Sequence, residues 1–209
     1  MVVVRKKPQQ QRSRKMVDAL IDATGRCVID HGVEGLTTHH IAEAAGVSVG
    51  SLYQYFPNKE ALLAALMDRL ANDTARALGH LPTTESGDLR ANVRLIIDFG
   101  FELLHSRDGL YLELARHWHS LPTDRVMNIL QQAFLELSRL YFLKHYRSTP
   151  VADLHLRIYI IANSVMFTMM RFSAEPQPML SQEEIARGLT EMVVEYLQAG
   201  QKAETGRAD

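Results

Sequence analysis

An all-α fold is predicted for this chain of 209 residues. Apolar residues recur at three- and four-residue spacing almost throughout. The breaks between those runs carry Gly, Pro and Ser/Thr/Asn capping signals, and no alternating strand pattern survives a pass along the chain. The predicted architecture is an N-terminal three-helix unit of helix-turn-helix form, followed by a larger C-terminal helical domain.

Residues 1–11 are basic and Gln-rich and read as a flexible arm. From Arg12 a stripe of Val17, Leu20/Ile21, Thr24, Cys27/Val28 and His31 marks an amphipathic helix that Gly32 ends. Thr37 or Thr38 can cap a second helix reaching Ala45, with Gly46 as its stop. Ser48 can cap a third, closing near Phe56, so 12–57 forms one unit. Pro57 breaks the chain and Asn58 caps a connecting helix over 58–79, with Leu62, Leu63, Leu66 and Leu70 inward.

The LPTTESGD stretch is the natural domain junction, and residues 80–200 form the second domain. One helix is expected over about Asp88–Ser106, another over Gly109–Ser120 and a third from Leu121-Pro122-Thr123-Asp124 to about Arg147. Residues 152–172 are apolar on nearly every face, which predicts a helix buried on all sides. Ser181 and Glu184 form a capping box for the last helix, which is expected to end near Gly200. Residues 201–209 read as a disordered tail.

The chain is 46% hydrophobic and 22% charged, proportions of a soluble globular protein. No apolar run approaches the roughly 20 residues of a membrane span. One cysteine, Cys27, allows no internal disulfide. These features predict a cytoplasmic protein. The net charge of −1 is unevenly spread. Residues 1–15 hold six basic side chains and no acid, whereas the chain beyond residue 60 is mildly acidic. That asymmetry suits a polyanion at one end.

The stretch GVSVGSLYQYFPNKEALL, Gly46–Leu63, carries the function. The major groove of B-DNA admits one α-helix, braced by the helix before it. Ile41, Ala42 and Ala45 bury the bracing helix, Gly46 permits the turn, and Val47 and Leu52 anchor the reading helix. The outward face is Ser48, Val49, Gly50, Ser51, Tyr53, Gln54 and Tyr55, small and polar enough to approach DNA closely. Hydroxyls of Thr38, Ser51, Tyr53 and Tyr55 can donate to phosphate, and Lys59 can add a charge.

The stretch GLTTHHIAEAAGVSVGSLYQYFPNKEALL, within residues 12–70, resembles the DNA-binding domain of the tetracycline-repressor (TetR-like) family of bacterial transcription regulators. The resemblance implies an all-α fold of about nine helices and a homodimer paired through its last two helices. It also implies a C-terminal ligand-binding domain and release of DNA by a small-molecule effector. It places Thr38, Tyr53, Tyr55 and Lys59 near phosphates, His39 at the groove edge, and Val49, Gly50 and Ser51 near bases. His39-His40 stands where Arg-Asp or Arg-Lys is frequent in the family, and Val49-Gly50 offers little side chain for base readout. Gln54 and the arm are therefore expected to carry more of the specificity.

In the second domain, Phe99, Tyr111, Arg116, Trp118, Phe134, Asn163, Met166, Phe167 and Met170 are candidates for an adaptable apolar pocket with a few polar groups. An acyl-chain or other lipophilic effector is preferred. Arg116 can instead pair with Glu113. Tyr159, Ile185, Leu189, Met192, Val193 and Tyr196 are candidates for the dimer interface, because two such helices per subunit make a four-helix contact. His117 and His119 point to different sides of a helix, which argues against a metal site. The sequence holds no phosphate loop, nucleophile elbow or zinc-protease pattern, and no cofactor is expected. The predicted function is thus a ligand-responsive homodimeric repressor on a pseudo-palindromic operator; the alternative is an activator or an architectural DNA-binding dimer without a small ligand.

Overall fold

The computed structural model describes residues 11–82, 87–146 and 151–205. Within them lie nine α-helices, two short 3-10 turns and no strand. The basic residues Arg5, Lys6 and Lys7 of the arm lie outside the described residues. The helices are α1 (Gln11–Gly35), α2 (Thr38–Ala44), α3 (Val49–Tyr53), α4 (Lys59–Gly79) and α5 (Leu89–Leu104), then α6 (Leu110–Arg116), α7 (Asp124–His145), α8 (Leu154–Ala174) and α9 (Gln182–Thr205).

Packing divides the chain into two units, one of residues 1–72 and 105–126 and the other of 73–104 and 127–209. This differs from a division at residue 80: the α6 segment, read from the sequence as part of the second domain, folds against α1.

In the first unit, Leu20, Val28, Leu36, Ile41, Leu52, Phe56, Leu62 and Leu66 are almost completely buried. They come from α1 to α4 and, as Leu36 and Phe56, from the connections between them, so each short helix donates one large side chain to a shared core. Burial of this kind, and not helix propensity, holds helices of five and seven residues. α1 breaks at Gly32, whose φ of 70° is the left-handed conformation that glycine adopts without cost. The expected single helix over Gly109–Ser120 is instead a 3-10 turn, α6 and a second 3-10 turn, broken where His117 leaves helical geometry (φ −101°, ψ 15°).

In the second unit, Phe101 and Ile97 of α5, Ile158 and Met169 of α8, and Leu189, Val193, Val194 and Leu197 of α9 share one core. Phe101 meets Phe172 edge to face at 5.9 Å. Arg94 links α5 to α9 through Glu183 (2.8 and 2.5 Å) while also holding Asp98. Arg157 donates to the Ala152 and Tyr196 carbonyls and lies 4.6 Å over the Tyr196 ring.

Two expectations are corrected here. The last helix does not end near Gly200, because α9 continues to Thr205; residues 206–209 of the expected tail lie outside the described residues. Gly200 does not stop it: a Cβ there would meet Arg157 and Val151, so the glycine serves a close approach within the helix. Nor is α8 buried on all sides within one chain. Leu156 (55% exposed), Tyr159 (51%) and Phe167 (42%) lie open, since the core takes only the side bearing Ile158, Met169 and Met170.

The α9 cap forms as its sequence requires. Glu184 accepts from the Ser181 N–H (2.8 Å) and hydroxyl (2.7 Å), while Ser181 Oγ accepts from the Glu184 N–H (3.2 Å). The Ser181 backbone N–H, then its hydroxyl, hold the Glu184 carboxyl below the usual range. A depressed carboxylate stabilises above its unfolded value and loses that contribution as pH falls through the folded one. Protection of the Ser181 amide against hydrogen exchange is therefore expected at neutral pH and lost as the pH falls through the depressed Glu184 value. The Glu184→Gln variant should show a weaker pH dependence.

Candidate nucleic-acid interface

The helix-turn-helix is built from local chemistry. Thr37 Oγ1 accepts the His40 N–H at 3.2 Å and starts α2. α2 ends in a Schellman motif, with Val47 N–H on the Ala42 carbonyl (2.9 Å) and Gly46 N–H on the Glu43 carbonyl (3.0 Å). Gly46 takes φ 68°, and nothing lies near its missing Cβ. Ser48 then caps α3, accepting the Ser51 N–H at 3.1 Å. Arg26 of α1 donates to the Ala44 carbonyl at 2.9 Å, a cation at the negative end of α2.

Leu52 and Phe56 face inward with no exposed surface. The opposite side of α3 therefore faces out: Ser48, Gly50, Tyr53 and Gln54 are exposed, while Val49, Ser51 and Tyr55 are half-buried. His39 is exposed beside them on α2. The sequence-derived DNA-binding residues thus cluster on one unit and surround one short helix.

Within the cluster some groups are already engaged. Thr38 Oγ1 and Tyr53 Oη are hydrogen bonded at 3.2 Å, which joins α2 to α3 and holds both hydroxyls as one polar pair. Ser51 Oγ bonds Ser48 Oγ at 2.9 Å. Lys59 donates to the Leu36 carbonyl at 3.1 Å, so its ammonium is fixed at the α1–α2 corner with other protons to offer an anion. His40, expected only as a departure from pattern, stacks on His31 at 4.2 Å and faces α1.

The family model described as "Bacterial regulatory proteins, tetR family" matches residues 20–66, which span this whole arrangement. Residues 20–66 are a DNA-binding domain of the TetR type. Proteins of the family bind DNA and are not enzymes. The chain is 28% identical over 141 residues to the nucleoid occlusion factor SlmA of Haemophilus ducreyi, covering 60% of this chain and 68% of that one. Over 83 residues it is 34% identical to the HTH-type transcriptional regulator BetI of Burkholderia lata, 40% of this chain and 43% of BetI. Its structure matches that of the Bacillus subtilis transcriptional regulator FadR in complex with stearoyl-CoA, with a TM-score of 0.61 and 18% identity. That match covers 85% of this chain and 97% of FadR, and at such identity it shows a shared fold.

The pocket candidates of the chain do not fall in one unit. Tyr111, Arg116 and Trp118 belong to the first, and Phe99, Phe134, Asn163, Met166, Phe167 and Met170 to the second. Phe134 packs on the second core and Met170 is buried. Asn163 donates to the Tyr159 carbonyl of its own helix (2.7 Å), and Arg116 is exposed and pairs with Glu113 (3.7 Å).

The interface candidates also divide. Leu189 and Val193 are buried in the chain's own core, Ile185 packs against that core, and Tyr196 lies under Arg157. Only Tyr159 and Met192 (41% exposed) remain open. Among the described residues no group of three or more metal-ligating side chains assembles, and no helix is long and apolar enough to cross a membrane.

Sequence reasoning named Glu113 only as a partner for Arg116. Its carboxylate accepts the Val33 N–H at 3.2 Å and lies 3.2 Å from His117 Nε2, joining α6 to the end of α1. The spacing of Glu113 and His117, four apart, was a further visible signal.

Proposed function

We propose that this regulator acts in the bacterial cytoplasm as a homodimeric repressor that reads a pseudo-palindromic operator and releases it on binding a small lipophilic molecule. The observation that carries the DNA-binding part is the outward face of α3. Leu52 and Phe56 take every core-facing position, and the exposed remainder is small, polar and flanked by the Thr38–Tyr53 pair and Lys59. Such a surface offers hydroxyls and a cation to phosphates and lets backbone approach base edges.

Dimer formation is supported by α8 and α9. Leu156, Tyr159, Ile160 and Phe167 leave an apolar face on α8, and Met192 is exposed on α9. Contiguous exposed apolar surface of this kind marks an interaction site. A two-fold contact would pair each face with its copy and set two α3 helices on one side of the duplex. Leu156→Asp combined with Met192→Asp is expected to convert a dimer to a folded monomer of 23.6 kDa in sedimentation. Neither side chain supports the chain's own core, so a dimer that persists would move the interface elsewhere.

A lipophilic effector is supported by a second unit rich in Met and Phe, which repacks easily. The stearoyl-CoA bound by FadR on the same fold points in that direction. Addition of a long-chain acyl-CoA is expected to release bound operator and raise the melting temperature. A compound acts this way only if it binds the two arrangements of the heads unequally.

The second reading, an architectural DNA-binding dimer without effector, is favoured by the likeness to a nucleoid occlusion factor. A panel of acyl-CoA thioesters and phenolic compounds that leaves both operator binding and melting unchanged would support it over the first.

A further inference from the structure

Residues 105–126 are held to the DNA-binding unit although both ends of the segment run directly into the second unit. Three of the contacts that hold it are informative. Leu110 packs beside Leu66 at Gly25, where a Cβ would lie 3.6 Å from each. Arg125 pairs with the largely buried Asp68 of α4 at 3.1 Å; burial pushes the Asp68 carboxyl up and Arg125 draws it back. Glu113 Oε1 accepts the Val33 N–H at 3.2 Å.

The third contact is placed to act on recognition. Gly32 leaves helical geometry at φ 70° and ψ 168°, which turns the next N–H toward α6. A Cβ on residue 32 would lie 3.1 Å from Glu113 Oε1, so the bare glycine and the carboxylate fit one another. Beyond Val33 the corner continues through Leu36, whose side chain is buried and whose carbonyl holds Lys59. Thr37 then caps α2 and Thr38 pairs with Tyr53. A carboxylate beside a helix C-terminus is disfavoured by the helix dipole. The α1 helix alone therefore gives no reason for Glu113 to sit there. His117 at 3.2 Å and Arg116 at 3.7 Å share the same carboxylate, so a change in α6 redistributes its hydrogen bonding.

We propose that Glu113 is a positioning residue for DNA recognition: it fixes the α1–α2 corner, and with it the Thr38–Tyr53 pair, from a segment tethered at both ends to the second unit. This rests on the DNA-binding reading above.

The test uses the full chain and the duplex fragment that the unmodified protein retains best. Glu113→Ala is expected to weaken binding about tenfold and to expose the Val33 amide to exchange, with the circular dichroism of the folded chain kept. Glu113→Gln keeps an oxygen acceptor and should bind within about twofold of the parent. A Glu113→Ala variant that melts earlier yet binds the duplex equally would reduce Glu113 to a stabilising role and overturn the proposal. Equal losses in both variants would overturn it too. If the unmodified protein retains no duplex, the DNA-binding reading falls and takes this inference with it. A bound parent with an unaffected alanine variant removes the inference alone.

Discussion

The Gly50→Glu variant is expected to lose operator affinity by at least about 100-fold while melting like the parent, because a like charge set against phosphate costs several kcal/mol. Gly50 lies on the exposed side of α3, and the nearest atom to a Cβ built there is Ser48 Oγ at 3.9 Å. It has no positive φ, so the backbone accepts a side chain, and glutamate is the better helix former. The fold therefore has room for the substitution and the groove does not. Anisotropy of a labelled duplex and thermal melting together decide the matter. Unchanged affinity with an unchanged melt would remove α3 from the interface, and a collapsed melt would mean that Gly50 is packed.

The Phe56→Ala variant is expected to act in the opposite way, through stability. Phe56 is completely buried, and its N–H donates to the Leu52 carbonyl at 3.0 Å just beyond α3. Truncating a buried phenylalanine costs about 3–5 kcal/mol, a large part of the roughly 5–15 kcal/mol that holds a domain folded. The urea midpoint should fall accordingly. Operator affinity should fall with the folded fraction and recover when a stabilising osmolyte restores the fold. A small shift in midpoint would show that the surrounding leucines close the cavity.

What the sequence made legible follows from the range of the forces involved. The turn between α2 and α3 could be read because its chemistry is local: Thr37 and Ser48 cap residues three positions on, and Gly46 supplies the left-handed turn. Leu52 could be assigned inward because it is the large apolar side chain of a short polar helix, whereas the burial of Phe56 just beyond it was not read. The contacts of Lys59 with Leu36, Thr38 with Tyr53 and Glu113 with Val33 join residues 23, 15 and 80 positions apart, and no pattern of one segment encodes them.

The α6 segment could not be placed for the same reason, since its apolar face fits either core. Propensity misled at the end of α9, where Gly200 looked like a stop but is held by Arg157 and Val151. In α8 the all-round apolar pattern was visible, but one chain covers only part of it. Leu189 and Val193 were assigned to a partner because a stripe on a last helix does not say which of two neighbours it faces; both lie in the chain's own core.

Selection of genomic DNA fragments by the purified full chain at near-physiological salt, followed by sequencing, decides whether α3 reads an operator. A dimeric reader enriches a pseudo-palindrome whose half-sites lie about one helical turn apart, or a multiple of that spacing. Neither Gly50→Glu nor the monomeric Leu156→Asp, Met192→Asp variant is expected to recover the motif. Fragments retained with no shared motif, or none retained at all, would contradict operator reading by α3.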